Sequence, residues 1–126
     1  MQQMVKLLVI GLFSTCNFVK CTPDTTEVYH ICNGEKCWSF DEFVVDRARV
    51  LDYLSDGTAT NNYNYYAESS SCYGHGVCNG ALTQSDCSDC ILAAENALID
   101  TCDYSIGAQI QLKDCRVRYE AYPFSE

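Results

Sequence analysis

Little in this sequence serves catalysis. Its 126 residues include only two histidines. His75 lies between Gly74 and Gly76, beside Cys72 and Cys78, where a flexible turn is a better reading than a general base. His30 sits in a β-rich stretch ahead of Cys32. No serine occupies a nucleophile-elbow setting, and no calcium-binding loop is present. Carboxylate pairs do occur, but among seventeen acids a solvated face accounts for them. The chain is therefore read as non-enzymatic, with no need of a cofactor or a metal. Basic side chains are scarce as well, eight against those seventeen acids, for a net charge of −9. A surface so acidic repels nucleic acid and anionic lipid, which excludes binding to either through a basic face. No Asn-x-Ser/Thr acceptor occurs, so N-glycosylation is not expected.

Long apolar runs are also few. Lys6 precedes an uncharged stretch from Leu7 to Val19, too short to span a bilayer comfortably, and no second one follows. Residues 1–21 are read as a secretory signal, cut after Cys21, where Val19 and Cys21 take the small-residue positions, or after Cys16. The competing reading is a buried N-terminal strand or helix. Residues 22–126 then form a single small domain, secreted and without a membrane span. Loss of Lys6 and Lys20 leaves six basic residues against seventeen acids, a net charge of −11. Loss of Cys16 and Cys21 leaves eight of the ten cysteines, an even number in an oxidising compartment. Disulfides are the default, although eight cysteines allow 105 pairings.

The domain reads as α+β. Thr25 to Ile31 is rich in β-formers and ends at Cys32. Ser39 and Glu42 form a capping box, and Phe40, Phe43, Val44, Arg47, Leu51 and Leu54 follow at helical spacing, which predicts a helix over 40–55. Tyr63 to Ala67 and Ser71 to Cys78 read as two strands about a polar turn. The crowded Tyr63, Tyr65 and Tyr66 suit either a half-buried sheet face or a surface for stacking on sugars. Thr83 or Ser85 caps a second helix that runs to Thr101, with Ile91, Leu92, Leu98 and Ile99 facing the core. Ala108 to Leu112 and Cys115 to Tyr122 alternate with period two around Lys113-Asp114 and predict a hairpin with one polar face. Two helices on a four- to five-stranded antiparallel sheet result. The core is small for its length, and disulfides at about 2–4 kcal/mol each supply stability that it lacks.

Cys87-Ser88-Asp89-Cys90 at a helix start has the spacing of a redox pair, but it follows no parallel strand and lies among six further cysteines. A zinc site from Cys87, Cys90, Cys72 and Cys78 fails on the five-residue gap of its second pair and on the oxidising context.

The stretch Cys78-x8-Cys87-x2-Cys90, with Tyr73-Gly74 before it and Ile106 to Leu112, Cys115 and Tyr119-Glu120 after it, resembles the ginkbilobin family. This is the plant cysteine-rich stress-antifungal domain, also found in ectodomains of cysteine-rich receptor-like kinases. The resemblance covers roughly Val28 to Phe124. It implies two helices on a five-stranded antiparallel sheet, and bridges Cys32–Cys102, Cys78–Cys87 and Cys90–Cys115. Cys37 and Cys72 have no partner in that scheme and are expected to form a fourth bridge. The family is also lectin-like and antifungal, binding mannose through an Asn, an Arg and a Glu. The matching positions are Asn33, Gln109 and Glu120, and Gln109 lacks the charged donor fork of an arginine. If Leu112 and Cys115 flank a two-residue turn, Gln109 lies opposite Arg118 and diagonal to Glu120, so Arg118 either supplies the missing cation or pairs with an acid as a surface ion pair. The expected molecule is a monomeric antifungal protein of the plant apoplast that binds mannose or a mannan-type glycan. Its alternative is an extracellular module with a decayed sugar site that meets another protein. Thiol redox chemistry is a third and weaker reading.

Overall fold

The computed structural model describes residues 22–38 and 41–126; the signal predicted over 1–21 lies outside them. Five antiparallel strands form one sheet: β1 (Glu27–Cys32), β2 (Asn64–Ser69), β3 (Cys72–Cys78), β4 (Ala108–Leu112) and β5 (Cys115–Glu120), in the order β1-β4-β5-β3-β2. Two helices, α1 (Glu42–Gly57) and α2 (Gln84–Cys102), cover one face of it. The expected class and layering are therefore found.

Alternation along the terminal hairpin decides which face they cover. Ala108, Ile110 and Leu112 of β4 and Cys115, Val117 and Tyr119 of β5 are buried, while Gln109, Gln111, Arg116 and Arg118 between them are half-buried. The buried set meets Phe43, Val50, Leu51 and Leu54 of α1 and Ile91, Ala94 and Leu98 of α2 in one core. Between Cys72 and Cys78, which belong to this core, strand β3 presents only glycines to it. A Cβ at Gly74 would run into Val50, and one at Gly76 into Thr58, so these bare positions let α1 lie directly on the strand.

Several local expectations change. Helix α1 is capped by Asp41, whose carboxylate accepts the Phe43 N–H at 3.0 Å, and not by the predicted Ser39 box; Ser39 and Phe40 lie outside the described residues. An aspartate one residue from the first helical turn satisfies the same orphan donors. Thr83 caps α2 by accepting the Asp86 N–H at 3.1 Å. Leu92, expected in the core, is 50% exposed, because Cys87, Ile91, Ala94 and Leu98 form the stripe that the sheet covers.

Among the described residues three disulfides are present, Cys32–Cys102, Cys78–Cys87 and Cys90–Cys115, with sequence separations of 70, 9 and 25. Cys87 and Cys90 thus bond to other cysteines and not to each other, which removes the redox pair. The expected fourth bridge is absent, and Cys37 and Cys72 are free thiols. Each is placed by other contacts. The Cys37 thiol donates to the Tyr104 carbonyl at 3.2 Å, whereas Cys72 is fully buried at the start of β3, and burial pushes its thiol up to about 12. Among the described residues, no group of three His, Cys, Asp or Glu could hold a metal, and no helix is long and apolar enough to cross a membrane.

Two measurements check this arrangement. Iodoacetamide under native conditions should leave Cys72 unmodified, while unreduced, denatured protein should gain two adducts by intact mass; no adducts would mean the fourth bridge exists. Glu95 is buried between α1 and α2, and that burial, with Asp52 and Asp56 nearby, raises its carboxyl to about 9. The folded protein therefore holds a proton that the unfolded chain releases above about pH 4.5. This contribution is full below that pH and is lost as pH rises towards 9. Glu95→Gln should stabilise the fold by at least about 1 kcal/mol at pH 8 and leave it nearly unchanged at pH 4, by denaturant titration.

Candidate functional site

The open face of the sheet, opposite the helices, carries one cross-strand row with a residue from every strand. Ile31 pairs with Gln109, Gln109 with Arg118, Arg118 with His75, and His75 with Tyr66. The register puts Gln109 opposite Arg118, because Lys113-Asp114 is a two-residue turn that keeps the period-two alternation in phase.

At the β1 end of this row is a cleft of about 260 Å³ whose walls include Ile31, Asn33, Gln109, Arg118, Glu120 and Tyr122. The structure thus brings Asn33, Gln109, Glu120 and Arg118 to one place. Asn33 is held there twice. It follows Cys32 of the Cys32–Cys102 bridge, and its N–H donates to the Gly107 carbonyl at 2.8 Å. Its Oδ1 accepts the Glu35 N–H at 2.9 Å, which leaves the side-chain NH2 as its donor towards a ligand. Glu120 is 7% exposed, and its carboxylate lies where a Cβ at residue 107 would be. Only glycine leaves that space. Arg118 Nε donates to Glu120 Oε2 at 2.8 Å, so the ion-pair reading of Arg118 describes the contact seen. Gln109 accepts from Arg116 Nη2 at 3.2 Å through Oε1 and so keeps its own NH2 free to donate. The site pairs an anionic acceptor with two neutral donors, a set suited to hydroxyls.

A segment without regular secondary structure, Tyr122–Glu126, crosses the same face beside the cleft. Tyr122 Oη accepts from Arg118 Nη2 at 3.3 Å, and the Phe124 ring lies 4.1 Å from the Arg118 guanidinium. Glu126 ends among Arg116, Arg118 and His75. Its burial opposes ionisation, but hydrogen bonds from Arg118 and His75 and the charge of Arg116 outweigh it and hold the carboxyl below its ordinary range. Burial likewise works against the charge on Arg118, but its bonds to Glu126 and Glu120 prevail and raise its affinity for the proton.

The tyrosine cluster divides. Tyr63 donates to the Leu82 carbonyl at 2.6 Å and Tyr65 packs over Gly57, so both are structural. Tyr66 lies on the open face, stacked on His75 with ring centroids 3.9 Å apart. His75, read as part of a turn, is in fact a strand residue buried under Tyr66 and Glu126. Sequence reasoning missed Gly107, Tyr122, Arg116 and Glu126 as site neighbours. Arg116 was visible in the polar alternation of β5; Glu126 had no periodic signal to reveal it.

A family model described as salt stress response/antifungal matches residues 31–122. Antifungal protein ginkbilobin-like protein 1 of Picea sitchensis is 35% identical over 106 residues, 79% of this chain and 80% of that protein. Antifungal protein ginkbilobin-2 of Ginkgo biloba is 31% identical over 124 residues, 94% of this chain and 92% of its own. Among solved structures, the tandem DUF26 ectodomain of the Arabidopsis thaliana cysteine-rich receptor-like protein PDLP8 aligns with a TM-score of 0.74 at 26% identity. That match covers 84% of this chain and 50% of the ectodomain, so the chain spans half of the tandem structure.

The close seating of Glu120 on Gly107 is testable. Gly107→Ala should still fold, with a loss of about 1–3 kcal/mol, because the added methyl group forces the nearly buried end of the Glu120 side chain to move. It should displace Glu120 from Arg118, read as a shift of the Arg118 Nε–H signal by NMR; an unmoved signal would show that the pair tolerates the methyl group.

Proposed function

Because the chain belongs to the salt stress response/antifungal family, we propose that it is a secreted antifungal protein of the plant apoplast that binds mannose-type glycans at the Asn33–Gln109–Glu120 cleft. The observation that carries this reading is convergence. Residues 33, 109, 118 and 120, on two separate stretches of chain, wall one small cleft. Its volume falls just under the ~300–1,000 Å³ of enclosed ligand pockets, a size fit for one sugar ring and not for an extended ligand. Glu120 would accept from two neighbouring hydroxyls, and the NH2 groups of Asn33 and Gln109 would donate to ring or hydroxyl oxygens. Arg118 acts chiefly through Glu120, holding its carboxylate in place by the 2.8 Å contact from Nε. It is a positioning residue, and the fork absent at 109 is replaced only in part. On so open a surface the affinity for a single sugar should be weak.

The second reading is the extracellular protein-interaction module. It is favoured by the apolar edge strand β1, where Val28 and Ile31 are 57% and 53% exposed. A glycan array separates the two, since silence from a folded protein would favour the module.

Calorimetric titration of methyl α-mannoside tests the cleft. Glu120→Gln and Asn33→Ala should each weaken binding by about tenfold, the loss of one good hydrogen bond. Arg118→Ala should weaken it less than Glu120→Gln. Absence of binding to the wild-type protein would remove the mannose reading.

A further inference from the structure

Beside the cleft, the row of open-face residues builds a second arrangement. The Glu126 carboxylate is gripped by three basic groups from two strands. Arg116 reaches both oxygens at 2.7 Å, Arg118 Nη1 donates to Oε1 at 2.9 Å, and His75 Nδ1 lies 2.9 Å from Oε2. The approach of Arg116 is the two-point fork that suits a planar carboxylate. His75 is itself set from behind, with its ring stacked on Tyr66 and its Nε2 2.6 Å from Asn64 Oδ1. The Tyr66 hydroxyl accepts the Glu126 N–H at 2.7 Å. As a result the Glu126 side chain is only 11% exposed although its segment has no secondary structure of its own. In a chain with eight Lys and Arg against seventeen acids, two arginines and a histidine converge on this one carboxylate.

We propose that His75, Arg116 and Arg118 form a carboxylate-binding site that takes the uronate group of an acidic sugar in exchange for Glu126. This rests on the reading of the neighbouring cleft as a sugar site. Arg118 belongs to both places, since it walls the cleft, holds Glu120 and contacts Glu126. A hexose seated by its hydroxyls on Asn33, Gln109 and Glu120 therefore lies beside the cationic row. A neutral sugar offers that row a hydroxymethyl group, which cannot replace a carboxylate. A uronic acid offers a carboxylate, and the exchange leaves both arginines paired. No bond is made or broken beyond the hydrogen bonds and ion pairs. Glu126 acts as an internal competitor, so apparent affinity for the uronate is reduced by the fraction of molecules in which Glu126 fills the site. A peptide carboxylate could meet the same cations but would leave the cleft unused, which makes the sugar acid the better fit.

Methyl mannoside, methyl mannuronoside and N-acetyl-diglutamate, each titrated into wild type, Glu126→Gln and Arg116→Gln, test the proposal, with folding followed by circular dichroism. Glu126→Gln should strengthen mannuronoside binding about tenfold and leave mannoside binding unchanged, while Arg116→Gln should weaken mannuronoside binding by a similar factor. The proposal falls if mannuronoside binds Glu126→Gln no tighter than wild type, or if Arg116→Gln binds it as well as wild type does. Diglutamate binding as tight as the uronate would overturn the sugar assignment. If mannoside is silent throughout while mannuronoside shows the expected pattern, the neutral-sugar reading fails and the uronate site stands.

Discussion

The three disulfides among the described residues all have one end on α2. Cys87 ties its first turn to the end of β3, Cys90 ties its second to the start of β5, and Cys102 ties its last residue to the end of β1. A single helix is thereby bonded to three of the five strands, at both of its ends. A core this small leaves little margin from burial alone. The sulfurs at Cys87 and Cys90, both fully buried, lie within the apolar layer and take part in it. The stretch from Cys78 to Cys90, which has the spacing of reactive chemistry, is instead the anchor from which the sheet is hung.

The consequence for the open face is rigidity where ligands would bind. Cys32–Cys102 fixes the residue before Asn33, and Cys90–Cys115 fixes the start of the strand that carries Arg116, Arg118 and Glu120. The two stretches of the cleft are thus held by bridges to opposite ends of one helix, and the hydrogen bond from Asn33 to Gly107 joins them across the top. Preorganisation of this kind lowers the ordering cost of binding a small ligand. It also concentrates opposite charges that surface pairs in water would hold only weakly.

Much of this was legible in the sequence because the physics involved is local. Period-two alternation after Gly107 revealed the hairpin, its polar face and the register of Gln109 with Arg118. Helical spacing revealed both helices. What stayed hidden depends on contacts distant in the chain. Asp41 and Ser39 are equally good caps by type, and only the path of the chain selects Asp41. Cys37 and Cys72 looked like a pair by elimination, but elimination carries no distance, and each thiol has its own surroundings. Leu92 has the character of a core residue and the wrong angle on the helix. Glu126 is the clearest case, since an acid in an irregular segment has no pattern from which its partners 8 to 51 residues away could be read.

The row Ile31, Gln109, Arg118, His75 and Tyr66 takes one residue from each strand. Its members are gathered from nearly the whole length of the domain, and a slip of one residue in any strand would send that strand's member to the helical side. The surface therefore works as a checksum on assembly: it exists only in a chain whose every strand is in its place. Each strand also contributes a single independent position, so the chemistry of the face can be altered one residue at a time while the backbone that displays it stays the same.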